Sequence, residues 1–356
     1  MSDPVLAPWL EAALDRGLVH RAHALLLHGP GPLGQFELAA ALARAWLCEN
    51  PHQGRSCGAC AACHLFDQHS HPDFKLLLPE ALREPLGWAA PADDEDEAEG
   101  GGSKSKAKPS REIRIDEVRA AIDWGQRTSA RARAKVLVIH PAEAMNPSAA
   151  NALLKTLEEP PGALRLLLTA HDPEALLPTV RSRCQRVAIG VPPRTEALDW
   201  LRAQGLAEPE VLWAAAGGLP QAALAWHQEG IDAAAWRRVP ADVRRGAAKT
   251  LAAWPLPRVV DALQRLCHDL LAIAVGGEPR YFEASWLEPL RQPRAPAVDA
   301  LVTLERELRV AARHDDHPWH AALRVEALLA RMAALWHTAR VVPAAASRAL
   351  DTLPGR

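Results

Sequence analysis

The sequence predicts an α/β module, a parallel sheet with helices on both faces, followed by an all-helical second half. Three observations lead to this. Short apolar runs alternate with helical periodicity through the first 190 residues, a glycine- and proline-rich turn follows the first run, and no strand pattern returns after residues 191–193.

The first strand is read at residues 23–28, HALLLH, which ends at Gly29-Pro30-Gly31-Pro32-Leu33-Gly34. A helix follows over FELAAALARAWLC, so this segment is strand, loop, helix. Two further buried strands are expected at residues 136–139, VLVI, and 164–169, LRLLLT. Between them NPSAANALLKTLEEPP reads as a helix that Asn146 or Ser148 caps and Pro160-Pro161 stop. Residues 91–110, PADDEDEAEGGGSKSKAKPS, hold almost nothing apolar and read as a disordered, solvated insertion. Beyond residue 193 come alanine- and leucine-faced helical segments, among them VVDALQRLCHDLLAIAV and HAALRVEALLARMAALW. Gly217-Gly218-Leu219-Pro220 breaks one helix pair and marks a small middle domain. Tryptophans occur in every segment, which suits core filling better than a base-stacking platform.

At 356 residues, 49% of them hydrophobic, the chain is long enough for two or three cores. Its 41 basic and 43 acidic residues leave a net charge of −2, which provides no general field for gripping nucleic acid. No stretch has the uncharged apolar length a bilayer requires, and the first residues do not read as a leader, so a cytoplasmic protein without membrane attachment is expected. A stand-alone enzyme finds no support in any triad, carboxylate pair or cofactor fingerprint.

The turn after the first strand has the frame of a phosphate loop without its chemistry. A working loop, G-x-x-x-x-G-K-[ST], wraps phosphates with backbone N–H groups, neutralises them with lysine and holds magnesium through a hydroxyl. Here Gly29 and Gly34 keep the frame, but Gln35 replaces the lysine and Phe36 the hydroxyl, and Pro32 removes a donor. After VLVI, where an active ATPase carries adjacent acids, this chain has His140-Pro141-Ala142-Glu143. No bound ATP is expected.

Cys48, Cys57, Cys60 and Cys63 fall in one short window, the last three as C-x-x-C-x-x-C, while Cys184 and Cys267 lie apart. In a reducing compartment such clustering points to metal. Four thiols suit a closed structural Zn2+ site, with His52 and His64 as lesser substitutes; an iron–sulfur cluster is the alternative.

The run from residue 136 to 184 resembles the bacterial DNA polymerase III clamp-loader branch of the AAA+ family. Asn151-Ala152-Leu153-Leu154-Lys155, then Leu157-Glu158-Glu159-Pro160, and Ser182-Arg183-Cys184 carry the resemblance, and the cysteine cluster fits it. The changes at Gln35, Phe36, His140 and Pro141, with Gln221 where active members place an arginine after glycine-x-proline, are those of a non-hydrolysing member. The resemblance implies a AAA+ module over residues 1–190, a small helical lid domain over 191–235 and a helical collar, or oligomerisation, domain over 236–356. It further implies gamma/tau ATPase and delta subunits as partners, with a sliding clamp and primed DNA within the complex. In this family the arginine of the Ser182-Arg183-Cys184 motif is a finger supplied in trans to a neighbour's ATP, which makes Arg183, with Ser182 beside it, the candidate catalytic group; the alternative is a helix-terminal arginine paired to a nearby acid. Catalysis by the chain itself is left open; its part would be in a DNA-directed DNA polymerase holoenzyme. The competing readings are an active gamma-like ATPase, marked by nucleotide turnover, and a zinc-dependent DNA-binding protein, marked by salt-sensitive duplex binding.

Overall fold

A computed structural model of the protein describes residues 6–88, 109–247, 250–291, 295–313 and 321–337. All but two residues of the acidic and glycine-rich insertion lie outside the described residues. The chain divides into two compact units, Met1–Glu196 and Ala197–Arg356.

The first unit runs α1 (Pro8–Val19), β1 (Ala24–His28), α2 (Gln35–Leu47), α3 (Ala61–Asp67), β2 (Phe74–Leu77), α4 (Glu80–Arg83), α5 (Ile115–Gln126), β3 (Lys135–Ile139), α6 (Pro147–Glu158), β4 (Leu164–Ala170), α7 (Pro178–Arg181) and β5 (Gln185–Ala188). All five strands are parallel, in the order β2-β3-β4-β1-β5. A parallel sheet of this kind is what the sequence predicts for the first half of the chain. The three central strands are the apolar runs read from the sequence, and Leu25, Leu26, Leu27, Leu137, Leu166, Leu167 and Leu168 are fully buried in them. Parallel strands covered on both faces require such runs. β1 lies between β4 and β5, so the loop leaving its carboxyl end enters the crevice where ligands bind in open α/β sheets.

α6 begins where Asn146 accepts the Ala149 N–H at 2.9 Å and ends at Glu158, before the paired prolines. Its buried residues Ala149, Ala150, Leu153 and Leu157 recur at helical spacing, leaving Asn151, Lys155 and Glu158 exposed. Two edge strands, β2 and β5, and the amphipathic α5 complete the sheet's surroundings and have no counterpart in the sequence reading.

Among its described residues the second unit has helices and no strand: most of α8 (Arg194–Ala203), then α9 (Pro209–Ala215), α10 (Pro220–Gln228), α11 (Ala233–Arg245), α12 (Leu256–Ala274), α13 (Ala284–Arg291), α14 (Val298–Arg313) and α15 (Ala321–His337). One continuous cluster of buried side chains extends from Leu201 to Trp336. At its centre Trp236 stacks on Phe282 at 4.5 Å and packs against Trp226 at 5.2 Å, so these tryptophans fill a core as expected. The carboxylate of Asp269 is fully buried and accepts the backbone N–H groups of Arg280, Tyr281 and Phe282 at 2.8–2.9 Å, which pins the loop before α13. No described helix is long and apolar enough to cross a membrane.

Candidate functional site

The loop between β1 and α2 has the path of a phosphate loop. Gly34 takes φ +96° at the start of α2, a conformation that glycine adopts without a Cβ penalty. A Cβ on Gly29 would sit 2.9 Å from both the Ile189 carbonyl and Leu33 Cδ1. Both glycines are therefore required by the turn, whatever the loop binds.

Three of the loop's N–H donors, those of Gly29, Gly31 and Leu33, are already engaged. Gln35 is buried and its side chain folds back into the loop. Its Oε1 accepts the Leu33 N–H at 2.9 Å, and its Nε2 donates to the Gly31 carbonyl at 2.7 Å and more weakly to that of Gly29 at 3.5 Å. The Gly31 N–H points to the His171 carbonyl at 3.4 Å, and Pro30 and Pro32 carry no N–H. Trp9 Nε1 donates to the Leu33 carbonyl at 2.8 Å and fastens the loop to α1. Replacing the cation by an amide thus does more than remove a charge. It ties the first half of the loop to the side chain of Gln35.

The opposite wall is closed by the residues after β3. His140 is buried, its Nδ1 lies 2.7 Å from Thr169 Oγ1, and Phe36 packs against its ring at 5.0 Å. Burial, with His171 nearby, pushes the His140 imidazole down to about 3. Near neutral pH it is uncharged and cannot balance a phosphate. Glu143 accepts the backbone N–H groups of His171 and Asp172 at 2.6 and 2.8 Å. Its Oε1 braces the loop after β4, while its Oε2 is buried without a hydrogen-bond partner. Phe36 occupies the magnesium-side position with a ring that has no ligand atom.

The cysteine cluster lies at the far end of α2. Cys48 caps α2, Cys60 caps α3 and Cys63 sits in the first turn of α3. The four sulfurs of Cys48, Cys57, Cys60 and Cys63 all lie within 4.8 Å of one another, with Cys48 and Cys60 at 3.8 Å. Tetrahedral zinc thiolates, with metal–sulfur bonds of about 2.3 Å, require sulfur–sulfur separations of about 3.8 Å. The set could hold one metal ion, with all four positions taken by protein. His52 and His64 supply no ligand atom to the group. Burial pushes the Cys63 thiol up to about 12. Cys60 is held at about 6 despite burial, by the Cys63 and Glu49 N–H groups and the thiols of Cys63 and Cys57. Arg44, buried one turn before Cys48, donates from Nε and Nη2 to the Asp67 carboxylate at 2.9 Å and from Nη1 to Ser56 Oγ at 2.9 Å, tying both flanks of the cluster together.

Arg183 stands just before β5, the edge strand, while Val180 and Cys184 on either side are buried and anchor the segment. Ser182 caps α7 and its Oγ donates to the Thr179 carbonyl at 3.2 Å. The Arg183 side chain is one-third exposed and is paired with Glu158, the last residue of α6. The sequence reading included Glu158 in a motif but assigned it no role. Nothing local joins two residues 25 positions apart.

Comparison with known proteins shows the family. Residues 8–192, just over half of the chain, match the family model described as DNA polymerase III, delta subunit. The chain is 37% identical over 230 residues to DNA polymerase III subunit delta' of Pseudomonas aeruginosa, covering 63% of this chain and 62% of that protein. It is 33% identical over 231 residues to the subunit delta' of Escherichia coli, covering 62% and 60%. A region of 175 residues is 31% identical to DNA polymerase III subunit tau of Salmonella typhimurium, covering 49% and 22%. The matched region thus spans about three fifths of the delta' relatives.

Proposed function

We propose a role for this chain starting from its family: it belongs to the DNA polymerase III delta subunit family, and its own nucleotide loop is closed. The chain works as the delta prime subunit of a clamp loader. It neither binds ATP tightly nor hydrolyses it, assembles with gamma/tau and delta subunits, and helps place a sliding clamp on primed DNA. Residues 1–190 form the AAA+ module, 191–235 its lid and 236–356 the collar through which it assembles.

The observation that carries this reading is the occupation of the phosphate loop by Gln35 in a chain whose relatives bear the delta' name. A buried triphosphate there would meet no lysine, no magnesium ligand and few available N–H groups. The chain's contribution is then made at its edge, where Arg183 reaches a neighbour's γ-phosphate. A planar guanidinium suits that task because it offers two parallel donors to phosphate oxygens. Cys48, Cys57, Cys60 and Cys63 hold one structural Zn2+, whose role is to fix the loop between α2 and α3.

Co-expression tests the assembly directly. Tagged protein is expected to retain gamma/tau and delta subunits through size exclusion, and to show no ATP binding when isolated and titrated by calorimetry. Elution of the chain alone, or micromolar magnesium-dependent ATP affinity, would contradict the proposal.

A further inference from the structure

Arg183 is held in a particular orientation before any neighbour arrives. Its Nε donates to Glu158 Oε1 at 2.6 Å, and Nη2 donates to the same oxygen. Nη1 donates to the Thr179 carbonyl at 2.9 Å and lies 3.4 Å from Ser182 Oγ. Contacts from two sides fix the plane of the guanidinium; Thr179 and Ser182 are themselves exposed, and the segment is anchored by the buried Val180 and Cys184.

The choice of edge matters. Nε and Nη2 form one lateral edge of a guanidinium, and Nη1 and Nη2 form its terminal edge. Glu158 takes the lateral edge. Nη1 meets only neutral oxygens, the Thr179 carbonyl at 2.9 Å and Ser182 Oγ at 3.4 Å, and Nη2 has a second N–H beyond the one Glu158 takes, so the terminal edge carries no anionic partner. That edge is the one that can present two parallel donors to a phosphate. With 33% of the Arg183 side chain and 49% of the Glu158 side chain accessible, the pair can stay intact while a ligand approaches end-on.

We infer that Glu158 is a positioning residue for Arg183: it orders the guanidinium by its lateral edge and leaves the terminal edge presented to a neighbouring subunit's γ-phosphate. This rests on the reading of Arg183 as a finger. The physical effect is preorganisation. An unrestrained arginine loses rotamer freedom when it engages, whereas one already held loses less. A partly exposed ion pair of this kind changes an equilibrium by roughly fivefold at most, well below the effect of the finger itself. Thr179 contributes only its carbonyl, so Glu158 is the member that substitution can remove.

Two measurements separate this inference from the finger reading. In the isolated chain, the Arg183 Nε–H resonance, assigned by its absence from Arg183→Lys, is expected to exchange slowly with solvent in the wild type and rapidly in Glu158→Ala. In the reconstituted loader, Glu158→Ala is expected to lower kcat for ATP by roughly three- to fivefold with KM unchanged. Glu158→Gln, whose amide oxygen still accepts, is expected to keep about half of the wild-type kcat or more. A resonance that stays protected in Glu158→Ala, or an unchanged or raised kcat in that variant while Arg183→Ala lowers it, overturns the positioning role. If Arg183→Ala leaves kcat unchanged, the finger reading falls and this inference with it, even where the resonance shows the guanidinium to be ordered.

Discussion

Replacing Gln35 by leucine tests whether the nucleotide loop is held shut by its own side chain. The substitution keeps a buried side chain of similar size but removes the acceptor for the Leu33 N–H at 2.9 Å and the donor to the Gly31 carbonyl at 2.7 Å. Gln35 is 1% exposed, so water cannot readily take over either contact. Leaving a buried donor or acceptor without its partner costs about 1–3 kcal/mol. Two such losses, partly offset by about 1 kcal/mol from the added apolar surface, leave a net destabilisation of about 1–5 kcal/mol. In a unit of this size that corresponds to a fall in Tm of roughly 2–20 °C. Scanning calorimetry, following the transition of the first unit, provides the assay. A change under about 0.5 kcal/mol would refute the claim that Gln35 braces the loop. Gln35→Lys restores the cation of a working loop, yet the acid pair after β3 remains absent, so no turnover is expected. Micromolar, magnesium-dependent ATP affinity in that single variant would refute the account of the site.

Three further outcomes are expected. His140 is held neutral by burial, with a folded-state value of about 3 against an ordinary 6.5, so its contribution is complete above pH 6.5 and is lost as pH falls toward 3. At 1.36 kcal/mol per unit this is on the order of 5 kcal/mol, and His140→Leu is expected to flatten the loss of stability between pH 7 and pH 4, at some fixed cost because the Thr169 hydroxyl keeps only its longer contact to the Ile139 carbonyl; an identical pH slope in both proteins would refute it. Metal analysis of protein purified without chelators is expected to return about one zinc per chain, and Cys60→Ser to lose it together with thermal stability; full retention would exclude this ligand set. Asp269→Ala strands three backbone N–H groups in the second unit and is expected to cost about 3–5 kcal/mol, read as a lowered Tm of that unit, whereas a loss below about 1 kcal/mol would show that the loop before α13 does not depend on the carboxylate.

What was legible in the sequence follows the physics of each element. β1, β3 and β4 are buried on both faces, so they read as continuous apolar runs. β2 and β5 escaped because each is four residues long at a sheet edge: Lys75 interrupts the first, and Gln185 and Arg186 lie exposed in the second. The cysteine cluster was legible because its ligands are close in sequence, and the structure gathers the same four sulfurs. At Gln35 the sequence revealed a missing lysine, but the return of the amide onto Leu33 and Gly31 depends on the fold of the loop. The contact between Glu158 and Arg183 joins the end of α6 to the segment before β5, and no local pattern encodes it.

The central claim is that a chain with a closed nucleotide loop completes the ATP site of a neighbour. The most direct measurement is the steady-state ATPase of a loader reconstituted with Arg183→Ala, stimulated by clamp and primed DNA. A finger supplied in trans contributes on the order of a thousandfold at its site. The variant is therefore expected to assemble, retain its zinc and unfold at the wild-type temperature within the small effect of one surface pair, while the ATPase falls by the share of turnover that passes through the adjacent site. Wild-type ATPase and clamp loading in an assembled Arg183→Ala complex would contradict the claim and leave Arg183 a structural partner of Glu158.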